Sequence, residues 1–217
     1  MQSNSEENYL KTIYLQNIQG NDKVSITTLS GALGNNPASV IDMVKKLTEK
    51  KLVDYNKSRG ATLTESGVKS ALLTIRRHRL WEMFLQEKLG YSWDEVHDIA
   101  EQLEHVQDEN IADRLDKFLN YPEFDPHGEA IPKANGQMPE IKAFTLKKQK
   151  IGQACKVVSV NDTSKSFLQY LFRLNIGIGT TIKILEKIDF DGSLILLINN
   201  SEKNTISEKF AENIFVN

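Results

Sequence analysis

The sequence predicts a mainly α-helical protein with some β structure, namely a short hairpin near the N-terminus and a small β-rich region at the C-terminus. Apolar residues recur every three or four positions through most of residues 5–120, which is the period of amphipathic helices. Two short strand patterns flank a charged turn at 56–60, and from residue 154 the pattern changes to short β-type segments. These three observations define the predicted fold class.

Three helices are predicted before the hairpin, at residues 5–18, 25–33 and 37–50. Ser5 is the predicted N-cap of the first helix, because its hydroxyl can accept a backbone N–H of the first turn. Pro37 suits the first turn of the third helix, where its missing N–H is not needed.

The hairpin follows, with strands at 52–55 and 61–63 and with Lys57 and Arg59 at the tip of its turn. A long helix capped by Thr64 comes next. A helix-turn-helix followed by a two-stranded hairpin is the winged helix-turn-helix pattern of DNA-binding proteins. The alternative is a surface hairpin whose charges are only solvated.

The third helix is the predicted recognition helix, which would enter the major groove while the wing meets phosphate or the minor groove. Its first residues are small and polar, so its N-terminus can approach the DNA backbone and hold a phosphate through its N–H groups. The predicted DNA-binding residues are Thr27, Asn36, Pro37, Ala38, Ser39, Asp42, Lys45, Lys46, Lys57 and Arg59.

Charge is distributed unevenly along the chain, although the net charge is only −2. Residues 37–79 contain ten Lys/Arg and four Asp/Glu, whereas residues 94–129 contain twelve Asp/Glu and two Lys/Arg. A basic block beside an acidic block suits a phosphate-binding module coupled to a cation-binding one. Two solvated faces of different charge would explain the same counts.

Histidines and glutamates recur at helical spacing between residues 78 and 105. Side chains at i, i+3 and i+4 share one face of a helix. Imidazole plus carboxylate, with no thiolate, is the donor set of Mn(II), Fe(II), Co(II) or Zn(II). One such pair is commonly a surface pair, but the whole coincidence predicts metal binding. The candidate ligands are His78, Glu82, His97, Glu101, Glu104 and His105.

Helices are also predicted at 94–106 and 109–120, and the apolar residues here exceed what one small core needs. We interpret the surplus as a homodimer interface, with intramolecular packing as the alternative. The surplus residues are Leu80, Trp81, Phe84, Leu85, Ile111, Leu115, Phe118 and Leu119.

The next segment, 121–139, has the proline and glycine content of a loop, and His127 within it is expected to be structural or exposed.

The C-terminal region, residues 154–217, is predicted to be a small β barrel with one helix at 164–174. Barrels of this size usually bind or regulate and do not catalyse.

The single Cys155 excludes an intramolecular disulfide. The first eight residues lack a signal-peptide pattern, and no apolar run reaches about 18 residues. The sequence therefore predicts a cytoplasmic protein without a membrane partner.

Catalytic motifs are weak by comparison. The chain has no HExxH string, Gly-rich phosphate loop, G-x-S-x-G elbow or Rossmann fingerprint. Glu/His ligation could support a hydrolytic metal centre, yet no nucleophile or oxyanion donor cluster accompanies it. We predict that the chain is not an enzyme; a metal-dependent hydrolase with an accessory β domain is the alternative, and a metal-buffering protein is a third.

Several of these motifs resemble the diphtheria toxin repressor family of metal-dependent regulators. The resemblance rests on Glu7 to Tyr14, on Arg77-His78-Arg79-Leu80 with Glu82, and on Leu103-Glu104-His105-Val106. It is strong over about residues 5–135, and residues 150–217 are more weakly similar to the family's SH3-like (FeoA-type) domain. It implies a winged helix-turn-helix domain at 1–68, a helical metal-binding and dimerisation domain at 69–136, a linker at 137–152 and the SH3-like barrel at 153–217.

The resemblance also implies two metal sites per subunit. The ancillary site would use His78, Glu82 and His97, completed by the C-terminal domain, where Asp162 is our candidate. The primary site would use Asn8, Glu101, Glu104 and His105. Iron-type members carry Cys where this chain has Glu101 and Met where it has Asn8, and oxygen donors favour Mn(II) over Fe(II).

Two further positions bear on the primary site. Manganese-type members more often have Asp at position 8, so Asn8 should weaken the site or leave the ligand to Glu7 or the backbone. The short manganese-type members have Glu where this chain has Lys11, which argues against their paired two-metal centre. The resemblance thus implies a homodimeric, Mn(II)-responsive or Fe(II)-responsive repressor of metal uptake genes that reads a palindromic DNA operator.

Overall fold

A computed structural model describes residues 2–21, 23–106, 108, 110–140 and 142–217. The chain divides into two compact units, each built from three stretches of sequence. The first unit comprises Met1–His78, Leu103–Asp113 and Pro132–Gln137, and the second comprises Arg79–Gln102, Arg114–Ile131 and Met138–Asn217. No helix in the described ranges is both long enough and apolar enough to cross a membrane.

The described residues form a mixed α/β structure with eight α-helices and eight β-strands. The helices are α1 Asn4–Ile18, α2 Ile26–Leu33, α3 Pro37–Glu49, α4 Glu65–Leu89, α5 Val96–Leu103, α6 Ile111–Phe118, α7 Lys165–Arg173 and α8 Glu208–Glu212. The strands are β1 Val53–Asn56, β2 Gly60–Leu63, β3 Phe144–Thr145, β4 Ala154–Val160, β5 Thr181–Lys187, β6 Leu194–Ile198, β7 Glu202–Ile206 and β8 Ile214–Val216.

The first unit contains the helix-turn-helix and its hairpin. Strands β1 and β2 pair antiparallel from Val53↔Leu63 to Asn56↔Gly60. A backbone bridge between Val24 and Ala61 ties the hairpin to the segment before α2. The apolar faces of the three helices close over one core with the hairpin, as their sequence period requires. This core is formed by Tyr9, Leu10, Ile13, Val24, Leu29, Val40, Val44, Leu47, Val53, Ala61 and Ala71.

Local capping explains where the helices begin. Asn36 accepts the N–H of Ser39 at the start of α3, and Pro37 follows it in the first turn. The first helix is capped by Ser3 and not by Ser5 as predicted. Ser3 and Glu6 form a reciprocal capping box, in which each side chain meets the other's backbone N–H.

The second unit contains a six-stranded antiparallel sheet of order β3-β8-β4-β5-β6-β7. Within the described residues the two outer strands β3 and β7 are not paired with each other, so the hydrogen-bonded sheet is open and the small SH3-like β barrel predicted from the sequence is not confirmed. Register shifts in β4, between Val157 and Ser159, and in β5 bend the sheet around its core. Helix α7 covers this core with Phe167, Leu168 and Leu171.

Several predicted boundaries differ from the structure. Part of the predicted linker, Phe144–Thr145, pairs with β8, and the fully buried Leu146 follows it. The helices expected at 94–106 and 109–120 are shorter, Val96–Leu103 and Ile111–Phe118, and Glu109 lies outside the described residues. Polar, turn-forming residues at the ends of both segments account for the shortening.

Candidate metal centres and nucleic-acid interface

The recognition helix α3 presents the predicted DNA-binding face to solvent. Its N-terminal residues from Asn36 to Ser39 are exposed, as are Asp42, Lys45 and Lys46. Thr27 on α2 is also exposed. A short, capped N-terminus without bulky side chains leaves the first N–H groups able to approach an anion.

The wing is the second part of this surface. Lys57 and Arg59 lie at the exposed tip of the β1–β2 hairpin, where Asn56 accepts hydrogen bonds from the Ser58 N–H and hydroxyl. Gly60 follows with a φ of 83° and lies so close to the Val24 carbonyl that a Cβ would be 2.7 Å away. The turn is thereby fixed, and its two cations project from a defined position.

One group of candidate ligands lies in the first unit around Glu104, which is fully buried. The Nδ1 atom of His78 lies 2.6 Å from Glu104 Oε2, and Lys11 Nζ lies 2.9 and 2.7 Å from its two carboxylate oxygens. Burial by itself would raise the pKa of Glu104, but the hydrogen bond from His78 and the charge of Lys11 lower it below its usual value. Glu104 is therefore an ionised carboxylate.

Helix α1 contributes to the same group. The Nδ1 atom of His105 lies 2.6 Å from Glu7 Oε2, while the other Glu7 oxygen accepts from Arg77 at 2.8 Å. His105 Nε2 lies 3.6 Å from Glu104 Oε1. Among the described residues, His105 Nε2 and Asn8 Oδ1 are buried atoms with no hydrogen-bond partner. Buried polar atoms are normally satisfied, so these two fit ligand atoms for a cation.

The remaining predicted ligands on α5 lie in the second unit. His97 Nδ1 is 3.2 Å from Glu82 Oε1, and His97 Nε2 is 3.8 Å from Glu101 Oε1 one helical turn away. Glu82 is nearly fully buried, whereas His97 and Glu101 are each about one-third exposed. The i, i+4 spacing read from the sequence therefore does bring His97 and Glu101 to one face.

A second group of ligand atoms converges in the second unit, on Glu82, Asp125 and His127. One ligand atom from each lies within 4.8 Å of the others, and all three residues are buried. Asp125 Oδ1 accepts the backbone N–H groups of His127 and Glu129 at 2.8 and 2.9 Å. Its other oxygen, Oδ2, is buried without a hydrogen-bond partner in the described structure. The carboxylate is thus held in place by Oδ1, while Oδ2 makes no hydrogen bond and has the Arg79 Nε atom 3.5 Å away.

His127 has a matching arrangement. Its Nε2 lies 2.9 Å from the Trp93 carbonyl, which can only accept, so Nε2 carries a proton. The Trp93 ring stacks on the imidazole at 6.0 Å and 21°. The other nitrogen, Nδ1, lies 3.6 Å from Glu82 Oε2 and has no hydrogen-bond partner among the described residues. A metal-binding histidine is commonly oriented in this way through its second nitrogen.

The electrostatics of this group favour a cation. Burial would lower the pKa of His127, but the adjacent Glu82 carboxylate raises it to about 9. Burial, with the charges of Glu82 and Glu129, raises the pKa of Asp125 to about 7, although the charges of Arg79 and His127 lower it. Three donors of nitrogen and oxygen type, two of them carboxylates in a buried place, fit a borderline-to-hard divalent ion.

Sequence reasoning did not select Asp125 and His127 as ligands. His127 was expected to be structural or exposed, and because it is fully buried the structure excludes the exposed alternative. The available signal was the Asp125-x-His127 spacing in a loop, since such a turn can aim two donors inward. Asp162 accepts the N–H of Ser164 at 2.8 Å. It lies two residues after Val160, and the Val160 N–H donates to the His127 carbonyl. Asp162 stays a prediction.

An aromatic surface also lies in the second unit. Trp81 and Phe84 pack edge to face at 5.7 Å, and Phe84 lies 6.0 Å from Phe118. Phe118 is 59% exposed and Tyr121 is 65% exposed. We call Trp81, Phe84 and Phe118 the aromatic face; clustered aromatic side chains with exposed surface are typical of protein interfaces.

Comparison with known families covers nearly the whole chain. Residues 1–61 match the iron dependent repressor N-terminal DNA binding domain. Residues 64–133 match the iron dependent repressor metal binding and dimerisation domain, and residues 144–217 match the FeoA domain.

Individual proteins show the same similarity. The HTH-type transcriptional regulator MntR of Oceanobacillus iheyensis is 35% identical over 121 residues, which are 56% of this chain and 81% of that protein. A probable metal transport system membrane protein of Chlamydia trachomatis is 40% identical over 72 residues, which are 33% of this chain and only 16% of that protein. A solved manganese-dependent transcriptional repressor in complex with manganese is 35% identical, with a TM-score of 0.88 over 97% of this chain and 98% of that one.

Proposed function

This chain belongs to the iron-dependent repressor family of metal-dependent, DNA-binding transcriptional repressors, and from that premise we propose that its activating ion is Mn(II), with Fe(II) as the alternative. Members of this family are repressors and not enzymes, so the hydrolase alternative is set aside. The further proposals concern the ligands, the number of sites, the operator and the regulated genes.

We propose two metal sites in each protomer. The observation that carries this proposal is the convergence of Asp125, His127 and Glu82, which each bring one ligand atom within 4.8 Å of the others, while Asp125 Oδ2 and His127 Nδ1 are buried without hydrogen bonds. Asp125, His127 and Glu82 would hold one ion, joined by His97 and completed by Asp162. No sulfur donor is among these residues, which favours Mn(II) over softer ions.

The other proposed site uses Glu104, His105 and Asn8 of the first unit; Glu101, which the family resemblance also implies as a ligand, stays a prediction. The orphaned Asn8 Oδ1 and His105 Nε2 support it, and Glu7 beside them is the alternative ligand from helix α1. Lys11 already neutralises part of the Glu104 charge, so we propose that this site takes one ion and not a closely spaced pair.

The location of these ligands suggests how an ion would control DNA binding. Helix α1 carries Asn8, and it shares the core of the first unit with α3 through Leu10 and Val44. A bound ion would fix α1 to the Glu104–His105 segment and thereby favour one orientation of the recognition helix. Because the ion would bind that conformation more tightly, it would supply the free energy that shifts the protein toward its DNA-binding state.

We propose that the aromatic face forms a homodimer, in which two recognition helices read the two halves of a palindromic operator. The exposed Phe118 and the half-buried Trp81 and Phe84 support this use of the surface. The genes controlled would be those for metal uptake, and the protein would act in the cytoplasm.

Fluorescence anisotropy of a labelled duplex from the gene's own promoter region tests the function. The protein is titrated with chelator, with Mn(II), and with Fe(II) without oxygen. Tight binding only with metal supports the proposal, and the lower metal midpoint identifies the ion. Equal binding in all three conditions would contradict a regulatory metal site.

A double variant, Glu101→Ala with His105→Ala, tests the primary site in the same assay. We expect a folded dimer whose DNA binding no longer responds to metal. Asp98→Ala, an exposed carboxylate on the same helix, is the matched control and should respond like the wild type. A full metal response in the double variant would refute the assignment.

A further inference from the structure

Glu6 connects helix α1 to the recognition helix. Its side chain is 1% exposed, although it lies in the first turn of a terminal helix. Glu6 Oε1 lies 3.0 Å from Lys46 Nζ and 2.7 Å from Lys50 Nζ, and Lys50 also reaches Oε2 at 2.9 Å. Both lysines belong to the C-terminal part of α3 and its cap. A buried carboxylate on α1 thus holds the end of the recognition helix.

The next residue faces the other way. Glu7 contacts His105 Nδ1 at 2.6 Å and Arg77 at 2.8 Å. These contacts lie in the group around Glu104 and His105, which is proposed to bind one of the two ions. Two consecutive carboxylates in one turn of α1 therefore contact the recognition helix and the metal group, all within one unit. Side chains at i and i+1 point about 100° apart on a helix, which allows this division.

Lys46 is one of the predicted DNA-binding residues, and Lys50 is the C-cap of the same helix. The side chains of Lys46 and Lys50 are 52% and 41% exposed, so they reach solvent while they contact Glu6. A lysine bound to a carboxylate is less available to a DNA phosphate, because its charge is partly neutralised. The same contact therefore orients α3 and reduces its attraction for DNA.

We propose that Glu6 is a positioning residue that transmits the state of the metal group to the recognition helix and holds Lys46 and Lys50 back in the absence of metal. This inference rests on the proposed function, since it needs a metal-dependent DNA affinity to transmit. Loss of Glu6 would free two cations and uncouple α1 from α3. Both effects lower the ratio of DNA affinity with Mn(II) to that with chelator.

The test compares full-length wild type, Glu6→Gln, Lys50→Gln and Glu49→Gln by anisotropy on the promoter duplex across salt concentrations. Glu6→Gln keeps the shape of the side chain and should lower the metal-stimulated ratio by about five-fold or more, the lower end of allosteric coupling. Its salt dependence in chelator should steepen by about one to two counterions, since each freed lysine contributes roughly 0.9.

Lys50→Gln removes one of the two lysine contacts of Glu6 and leaves Lys46 in place. It guards against a folding defect in Glu6→Gln, which circular dichroism would reveal. It should lower the ratio without a steeper salt dependence, because no cation is freed. Glu49→Gln is the control: Glu49 is exposed on α3, and its replacement changes the net charge by the same amount as Glu6→Gln. It should behave like the wild type.

The outcomes separate the two proposals. If the DNA affinity of the wild type is the same with Mn(II) and with chelator, the proposed function is overturned, and this inference with it. A responsive wild type with an unchanged ratio in Glu6→Gln and Lys50→Gln would overturn the inference alone. An equal fall in Glu49→Gln would also overturn it, since the effect would then be one of net charge.

Discussion

At the scale of single residues, Asp125 divides its carboxylate between two tasks. Oδ1 accepts two backbone N–H groups of its own loop, which orients the side chain, while Oδ2 is buried and free of hydrogen bonds in the described structure. A buried oxygen without a hydrogen bond costs free energy, and the Arg79 guanidinium, whose Nε lies 3.5 Å from Oδ2, offsets only part of this cost. The residue is thus arranged for a ligand that the loop itself cannot supply.

Asp125→Asn should weaken one of the two proposed Mn(II) sites and spare the other. Asparagine can still accept both backbone N–H groups through its oxygen, so the loop should keep its fold while the charge is lost. Isothermal titration should show one tight site fewer, with an affinity loss of at least about ten-fold. Glu123→Ala, an exposed neighbour, is the control; two unchanged sites in Asp125→Asn would contradict the ligand role.

The pH dependence of this site follows from two raised pKa values. In the metal-free protein, the charge of His127 stabilises the fold fully below about pH 6.5, and this contribution is lost as the pH rises through about 9. An ion requires unprotonated ligands, so its binding must release the proton of His127 and, below about pH 7, that of Asp125.

Mn(II) affinity at this site should therefore rise with pH, by about ten-fold per unit for each proton released. Titration calorimetry in buffers of different ionisation enthalpy measures the released protons directly. Asp125→Asn is the reference, since it retains only the contribution of His127. An affinity that is flat from about pH 6 to about pH 8.5 would show that His127 does not bind the ion.

At the scale of elements, the loop between Phe124 and Ala130 depends on one glycine. Gly128 has a φ of 78°, and a Cβ there would lie 1.9 Å from the Val158 carbonyl oxygen of β4. The loop can therefore lie directly on the strand only if this position has no side chain. That close approach places Asp125 and His127 at the end of β4, where the Val160 N–H donates to the His127 carbonyl.

Gly128→Ala should destabilise the second unit and weaken its metal site together. Gly152 offers a matched control, because it has a φ of 82° but nothing within 4 Å of a Cβ. Gly152→Ala should lower the free energy of unfolding by about 1–2 kcal/mol, which is the cost of holding alanine in the left-handed conformation. Gly128→Ala should cost a further ~1–3 kcal/mol, because backbone must move. Equal costs in thermal unfolding would show that the loop is not tightly packed on β4.

At the scale of the whole molecule, each unit has its own apolar core and its own group of candidate ligands. The aromatic face belongs to the second unit and leaves Phe118 largely exposed, and the nearby Tyr121 in the sequence is exposed as well. Large exposed aromatic side chains in one cluster favour association, since their burial in an interface removes apolar surface from water.

Phe118→Glu should therefore dissociate the dimer without unfolding the protomer, because its side chain is 59% exposed. Sedimentation equilibrium should show a dimer dissociation constant at least about ten-fold higher, and operator affinity should fall with it. Phe172→Glu, on α7 and 76% exposed, is the control and should stay dimeric. A monomeric wild type, or a dimeric Phe118→Glu, would refute this interface.

Local chemistry allowed much of the fold to be predicted from the sequence. Asn36 and Pro37 begin α3 as expected, and the charged turn with Lys57 and Arg59 forms between paired strands. These features depend on residues a few positions apart, and propensity and capping act at that range. The resemblance to the diphtheria toxin repressor family, drawn from short motifs, is confirmed by the comparisons.

Tertiary structure decided the features that depend on distant residues. Glu7 meets His105 across 98 positions, and Lys11 meets Glu104 across 93. Asp125 and His127 lie in a loop without periodicity, so no pattern could place them beside Glu82. The open sheet likewise depends on which strands pair, not on the strands themselves. Local preferences determined the helices and turns, whereas convergence of buried charges required the packed chain, because only the surrounding core sets which side chains meet.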